Sequence, residues 1–236
     1  MSLADFHLVL LPGLDGTGKL FEPFRQQFPK SASITVINYP SDRHIAYSQL
    51  AHYLLPLLPR DKPLVVLGES YSGPVCLQLS TRDDLDIRAM LLVATFAKYP
   101  SSFLKSISRI IPISLLLRLP IPEFVIRYYC FGSDTNEALS RLLRQSIKEN
   151  LPGVLAQRAR EGSKNDVTGI LQKINIPVLY IAATHDKMVP HQAIDDLKQH
   201  LPNMQVVFVE GTHFILQVQP KRCYDIVANF LSENIE

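Results

Sequence analysis

The chain has 236 residues, of which 47% are hydrophobic, and a formal net charge of +2 at pH 7. That length and apolar content suffice for one substantial α/β domain with its own core. So small a net charge gives no argument for a nucleic-acid or membrane partner.

The cysteines and the apolar stretches exclude several other classes of protein. Three scattered cysteines lack C-x-x-C spacing and suggest no disulfide framework. Residues 1–5 carry no basic segment, so no signal peptide is expected. The longest apolar region, residues 110–121, contains Pro112, Arg118 and Pro120 and is too short to cross a bilayer. We therefore expect a cytoplasmic protein without an integral membrane segment.

Short apolar runs alternate with helical periodicity along most of the chain. The predicted strands are residues 7–11, 33–39, 63–67, 87–93, 178–183 and 205–209. Helical spacing is found after residue 19 and over residues 45–58, 75–79, 192–200 and 221–232. This alternation predicts an α/β fold with a doubly wound, mostly parallel sheet.

The alternation stops between Thr95 and Thr168, where no convincing strand is found. Helices are predicted over residues 101–119, 134–150 and 152–161, the second beginning at a capping-box-like Asp134-x-x-Glu137. Lys and Arg outnumber Asp and Glu in this insertion. A solvated helical surface explains that excess, and a basic entrance for an anionic substrate or carrier is the alternative.

A serine stands at the tip of a strand, turn and helix. The predicted strand runs into Gly68-Glu69-Ser70-Tyr71-Ser72-Gly73, and helix-compatible apolar residues follow. A serine whose hydroxyl is exposed on such a sharp turn, a nucleophile elbow, needs small neighbours because strand and helix pack closely there. The stretch resembles the α/β-hydrolase superfamily, whose pattern is G-x-S-x-G, except that Ser72 takes the place of the last glycine.

The partners that such a serine requires follow in the order of that superfamily. Serine needs a base to accept its proton, and the base needs a carboxylate to hold its tautomer. Asp186 follows the predicted strand 178–183, and His213 follows strand 205–209 in a Gly-x-His loop. All three residues are expected at the carboxyl ends of parallel strands, where open α/β sheets build their sites.

The resemblance further implies where the oxyanion of the reaction would bind. The backbone N–H of Tyr71 is one expected donor, and that of Leu14 in the first glycine-rich loop is the other. It also implies a single domain over residues 1–236 with a reduced N-terminal sheet and a helical cap at residues 96–168. Residues 115–117 and Phe124 would either pack the cap or line an acyl site.

The resemblance predicts a serine hydrolase that cleaves a small-molecule carboxylic ester or thioester without cofactor or metal. An acyltransferase would use the same residues. A non-catalytic binding protein of the same fold is a further alternative. A P-loop-like nucleotide-binding protein is the other alternative, because residues 13–19 match G-x-x-x-x-G-K of phosphate-binding loops. Leu20 follows, however, where Mg²⁺ coordination requires Ser or Thr.

Overall fold

A computed structural model describes residues 5–100 and 121–235. Its six strands are β1 (His7–Leu11), β2 (Ser33–Val36), β3 (Leu64–Glu69), β4 (Ile87–Val93), β5 (Val178–Ala183) and β6 (Gln205–Val209). They form one sheet in the order β2-β1-β3-β4-β5-β6, and every pair of neighbours is parallel. β3 and β5 are buried along their whole length, as expected for strands covered on both faces.

Helices cover both faces of this sheet. They are α1 (Glu22–Arg25), α2 (Tyr47–Leu54), α3 (Gly73–Leu79), α4 (Glu123–Val125), α5 (Glu137–Lys148), α6 (Pro152–Gly162), α7 (Gln192–Lys198), α8 (Ile215–Val218) and α9 (Pro220–Asn234). One buried apolar cluster contains residues of α2, α3 and α7, and a second contains residues of α1, α8 and α9. The predicted doubly wound α/β fold is therefore confirmed.

The strand register brings the loops that carry the predicted site residues to one edge of the sheet. Leu11 is paired with Gly68, and Gly68 with Leu92, while Ala183 is paired with Val209 on the other side. The residues that follow β1, β3, β5 and β6 consequently lie along the same carboxyl edge.

Between β4 and β5, the described part of the chain is mostly helical. α4 continues as a π-helix over Ile126–Phe131, and α5 and α6 follow. Outside the sheet, one isolated bridge joins Lys98 to Asp166. A small apolar cluster of Ile126, Phe131 and Leu143 packs on Leu20, which holds these helices near the carboxyl edge of the sheet. The helix predicted over 101–119, and residues 115–117 with it, lie outside the described residues, and the cap bounds 96–168 stay a prediction.

Two local predictions were wrong. Asn136, in extended conformation, caps α5 by accepting a hydrogen bond from the N–H of Leu139, whereas Asp134 lies in a preceding 3-10 turn. The helical spacing after residue 19 gives only a 3-10 turn, Lys19–Phe21, and the short α1. Phe28 precedes Pro29, which disfavours helical backbone at that position.

The helices of residues 5–100 and 121–235 include none that is both long and apolar enough to cross a membrane.

Candidate active site

Ser70 lies directly after β3 in a backbone conformation that residues with a side chain rarely adopt. Its φ is +49°, in the left-handed region. The chain can turn this sharply because its neighbours are small: a Cβ added to Gly73 would lie 1.9 Å from Oγ1 of Thr95, and one on Gly68 would lie 2.8 Å from Cβ of Cys76. The predicted strand, sharp turn and helix are present, with Ser70 at the tip.

Ser72, which replaces the last glycine of the usual pattern, has a specific set of partners. Its hydroxyl is fully buried and donates to the carbonyl of Pro12. The hydroxyl of Tyr39 lies 2.6 Å from Oγ of Ser72 and donates to it, because the Ser72 proton is already given to Pro12. Ser72 thus joins the elbow to the loop that follows β1, which glycine could not do.

The structure brings the predicted Ser70, His213 and Asp186 into one hydrogen-bonded chain. Nε2 of His213 lies 2.9 Å from Oγ of Ser70. Nδ1 of His213 lies 2.8 Å and 3.0 Å from the two carboxylate oxygens of Asp186. The backbone N–H groups of Met188 and Val189 donate to Oδ1 of Asp186 at 2.8 Å each, which fixes the carboxylate. Gly211 begins the histidine loop with φ +144°, a conformation that favours glycine.

The charge around His213 favours its protonated form. Burial lowers the pKa of His213, but the Asp186 carboxylate, with a smaller contribution from Glu69, outweighs burial and raises the pKa above its ordinary 6.5. A histidine poised in this way can accept a proton from serine and hold it beside a carboxylate.

Glu69, directly before the nucleophile, was not singled out from the sequence. Its carboxylate is buried and accepts a hydrogen bond from Nε2 of Gln217 at 3.0 Å. Burial raises the pKa of Glu69 to about 7, against the opposing effects of Gln217 and His213. The sequence did contain one indication of its importance: Glu69 is an ionisable residue at the end of a buried strand, directly before the serine of the turn.

Both predicted oxyanion donors lie in loops on the carboxyl edge of the sheet. Leu14 belongs to a turn closed by a hydrogen bond from the N–H of Gly16 to the carbonyl of Gly13 at 3.0 Å. Tyr71 is the second residue of the 3-10 turn that begins at Ser70. Within the described part of the chain, neither backbone N–H donates to another group of the protein, so both can donate a hydrogen bond to a ligand oxygen.

The loop after β1 is occupied by the side chain of its own Asp15 and by the side chain of Arg158 from the cap. The N–H and hydroxyl of Thr17 donate to Oδ2 of Asp15 at 3.0 and 2.5 Å. Arg158 and Asn150, two buried residues of the cap region, donate to backbone carbonyls of this loop. Neither was selected from the sequence. Arg158 is spaced by four residues from both Val154 and Gly162, which places it on the buried face of α6.

This filling disfavours the phosphate-loop alternative. The Asp15 carboxylate takes the N–H of Thr17, which a phosphate would need, and Lys19 forms an ion pair with Glu149. The two histidines nearest Asp186 in sequence also have protein partners: His185 pairs with Glu210, and Nε2 of His191 lies 2.9 Å from the carbonyl of Ala183.

Two curated relatives are esterases. The pimeloyl-[acyl-carrier protein] methyl ester esterase of Neisseria meningitidis serogroup C is 21% identical over 229 residues, covering 85% of this chain and 83% of that protein. The protein of the same name from serogroup A is 23% identical over 158 residues, covering 64% of this chain and 51% of that protein.

Solved structures share the fold. The enol-lactonase from Burkholderia xenovorans LB400 superposes with a TM-score of 0.77 at 18% identity, over 96% of this chain and 91% of its own. MenH from S. aureus superposes with a TM-score of 0.75 at 17% identity, over 99% and 95%.

A family model also matches the chain, over residues 7–220, and its description is the alpha/beta hydrolase fold. The match spans every strand of the sheet, the elbow and the histidine loop. The protein therefore belongs to the α/β-hydrolase fold family.

Proposed function

We propose that this protein hydrolyses carboxylic esters through a covalent acyl-enzyme on Ser70. The observation that carries the proposal is the chain of short contacts from Ser70 through His213 to Asp186. The predicted class of enzyme, a hydrolase of ester bonds, is confirmed by the family and by the activity for which its curated relatives are named.

Each group has a role that its position supports. Nε2 of His213 takes the proton of Ser70 as Oγ attacks the ester carbonyl, and Asp186 stabilises the resulting imidazolium. The N–H groups of Leu14 and Tyr71 bind the oxyanion that forms. His213 then gives the proton to the leaving alcohol. A water molecule, deprotonated by His213, releases the acid and restores Ser70.

The substrate belongs to the small-molecule acyl esters, with thioesters as the second class to be tried. The curated relatives are named for a methyl ester carried on acyl-carrier protein, so methyl esters of short acyl chains belong in the first screen. Lys98, Arg141 and Arg144 of the cap pair with carboxylates, which favours the solvated helical surface over a basic entrance for an anionic substrate.

The cytoplasmic location is also part of the proposal. Its support is that Cys76, Cys130 and Cys223 are all free thiols, which suits a reducing compartment.

Labelling with a fluorophosphonate probe tests the nucleophile directly. The wild-type protein should give a single adduct, mapped to Ser70, that is absent from Ser70→Ala. The matched control is His185→Ala, which alters an exposed side chain directly before Asp186 and should label at the wild-type rate. Labelling of another residue, or equal labelling of Ser70→Ala, would refute the assignment.

Turnover of p-nitrophenyl esters and acyl thioesters of graded length then tests the roles. Ser70→Ala or His213→Ala should lower kcat by about 10⁴- to 10⁶-fold with little change in folding, the scale seen when a triad member is removed. Activity within about tenfold of wild type in either variant would contradict the mechanism. Adding an alcohol and measuring the ester formed distinguishes hydrolysis from acyl transfer.

A further inference from the structure

We propose that Arg158, on cap helix α6, is a positioning residue for the oxyanion hole. It holds the backbone of the loop that presents the N–H of Leu14, so the cap pre-organises the catalytic site rather than only covering it. The proposal rests on the function proposed above.

The guanidinium of Arg158 is buried, with a residue exposure of 3%. Its Nη1 donates to the carbonyls of Leu14 at 3.1 Å and Asp15 at 2.9 Å. Nη2 donates to the carbonyl of Pro40 at 2.7 Å, and Oδ1 of Asn150 accepts from Nη1 at 3.1 Å. Burying a permanently charged group is costly unless its donors are satisfied, so these bonds define one position for the loop.

Every carbonyl from Pro12 to Asp15 has a partner. Ser72 donates to Pro12, the N–H of Gly16 to Gly13, Arg158 to Leu14, and both Arg158 and Asn150 to Asp15. A peptide unit is planar, so a bonded carbonyl also fixes the direction of the N–H in the same unit. Both peptide units that flank the Cα of Leu14 are held in this way, while its own N–H is left without a protein acceptor.

The same helix also contacts the other oxyanion donor. Oε2 of Glu161 accepts from the N–H of Tyr47 at 2.7 Å, and the hydroxyl of Tyr47 donates to the carbonyl of Tyr71 at 2.5 Å. A Cβ added to Gly162 would lie 3.0 Å from the ring of Tyr71, so α6 packs closely on that side chain. Glu161 and Gly162 of α6 therefore support Tyr71, and Arg158 of the same helix supports Leu14.

The burial of Arg158 also decides whether this residue binds an anionic substrate or holds the loop. A cation that binds an anionic substrate needs an open face, whereas both terminal nitrogens of Arg158 already face backbone or amide oxygens. Arg158 is thus not part of a basic entrance. Its loss should weaken stabilisation of the transition state while leaving substrate binding nearly intact.

The test compares Arg158→Met and Arg158→Lys with the control Arg160→Met, which removes an exposed arginine from the same helix. On a p-nitrophenyl ester, Arg158→Met should lower kcat by about 10- to 100-fold, with KM within about threefold, because one oxyanion donor is misplaced. Affinity for a trifluoromethyl ketone, which forms an oxyanion on Ser70, should fall by the same factor. Arg158→Lys should be intermediate and Arg160→Met unchanged.

A second measurement does not depend on activity. Hydrogen exchange of the Gly16 and Thr17 amides, both hydrogen-bonded within the loop, should speed up in Arg158→Met and not in Arg160→Met. If wild-type protein cleaves no ester, the proposed function fails, while exchange still decides whether Arg158 holds the loop.

The following results would overturn the positioning role. One is a folded Arg158→Met variant with unchanged kcat or unchanged exchange. The other is a fall in kcat without a matching loss of ketone affinity, which indicates a merely structural effect. If Arg158→Met does not fold, the same comparisons on Arg158→Lys decide the outcome, because lysine keeps the charge and most of the buried volume.

Discussion

The hydroxyl of Ser72 donates a hydrogen bond to the carbonyl of Pro12. This single contact joins the turn that carries the proposed nucleophile to the loop that carries a proposed oxyanion donor. The two segments are far apart in sequence and meet because β1 and β3 are neighbours in the sheet.

Ser72→Ala should lower the free energy of unfolding by about 1–3 kcal/mol. The substitution leaves the buried Pro12 carbonyl and the Tyr39 hydroxyl without their shared partner. Urea unfolding measures the change. The control is Ser232→Ala, whose exposed hydroxyl also donates to a backbone carbonyl and which should change stability by less than about 0.5 kcal/mol. Equal effects of the two substitutions would show that the Ser72 contact contributes nothing specific.

Gly73→Ala should destabilise the fold by more than about 3 kcal/mol, because the new Cβ would lie 1.9 Å from Oγ1 of Thr95. Gly153→Ala is the matched control: it is also in the first turn of a helix, and nothing lies within 4 Å of its added Cβ. That variant should be neutral or slightly more stable. Thermal unfolding of both proteins checks the pair, and a Gly73→Ala variant as stable as wild type would contradict the close packing at the elbow.

The acid limb of kcat/KM should lie above pH 6.5. His213 must be neutral to accept the proton of Ser70, and its pKa is raised above the ordinary 6.5 because the Asp186 carboxylate, aided by Glu69, outweighs burial. Glu69→Gln removes one of the negative charges that raise this pKa, so the limb should move to lower pH. A pH–rate profile of each protein measures the acid limb of wild type and that of Glu69→Gln.

The control for that shift is Glu210→Gln, which neutralises an exposed carboxylate that pairs with His185, the residue before Asp186. Its profile should coincide with that of wild type. A limb that does not move in Glu69→Gln would mean that the carboxylate has no electrostatic effect on His213.

Glu69 should also make the fold less stable as pH rises from about 4.5 to about 7. Burial raises the pKa of Glu69 from 4.5 to about 7, so in this interval the folded protein keeps a proton that the unfolded chain has lost. Stability then falls with rising pH, by up to about 3 kcal/mol once both states are ionised. Glu69→Gln should remove this contribution, which urea unfolding at pH 5 and pH 8 can measure. An identical pH dependence in wild type and variant would contradict it.

Much of the sheet could be predicted from local pattern. β1, β4, β5 and β6 have the predicted bounds, because short apolar runs limited by Pro, Gly or polar residues are typical of buried parallel strands. The ends of helices were less predictable. The cap of α5 at Asn136 depended on backbone conformation, which the spacing of Asp134 and Glu137 could not reveal.

The sequence by itself determined where along the chain the predicted site residues stand relative to the strands. Ser70, Asp186 and His213 each follow an apolar strand, and parallel strands end at one edge, so their meeting there required only that the strands share a sheet. Leu14 and Tyr71 were named from the resemblance to the α/β-hydrolase superfamily, and their roles as backbone donors to an oxyanion stay a prediction.

Only the tertiary structure decided which side chains support that edge. Arg158 is one of many basic residues in the insertion, and its contacts with Leu14 and Asp15 join residues more than 140 positions apart. Glu69, Ser72 and Asn150 likewise gain their roles from burial and from partners on other elements. Burial changes the energy of a charge or a hydrogen bond by several kcal/mol, and burial depends on how the helices pack on the sheet rather than on local sequence pattern.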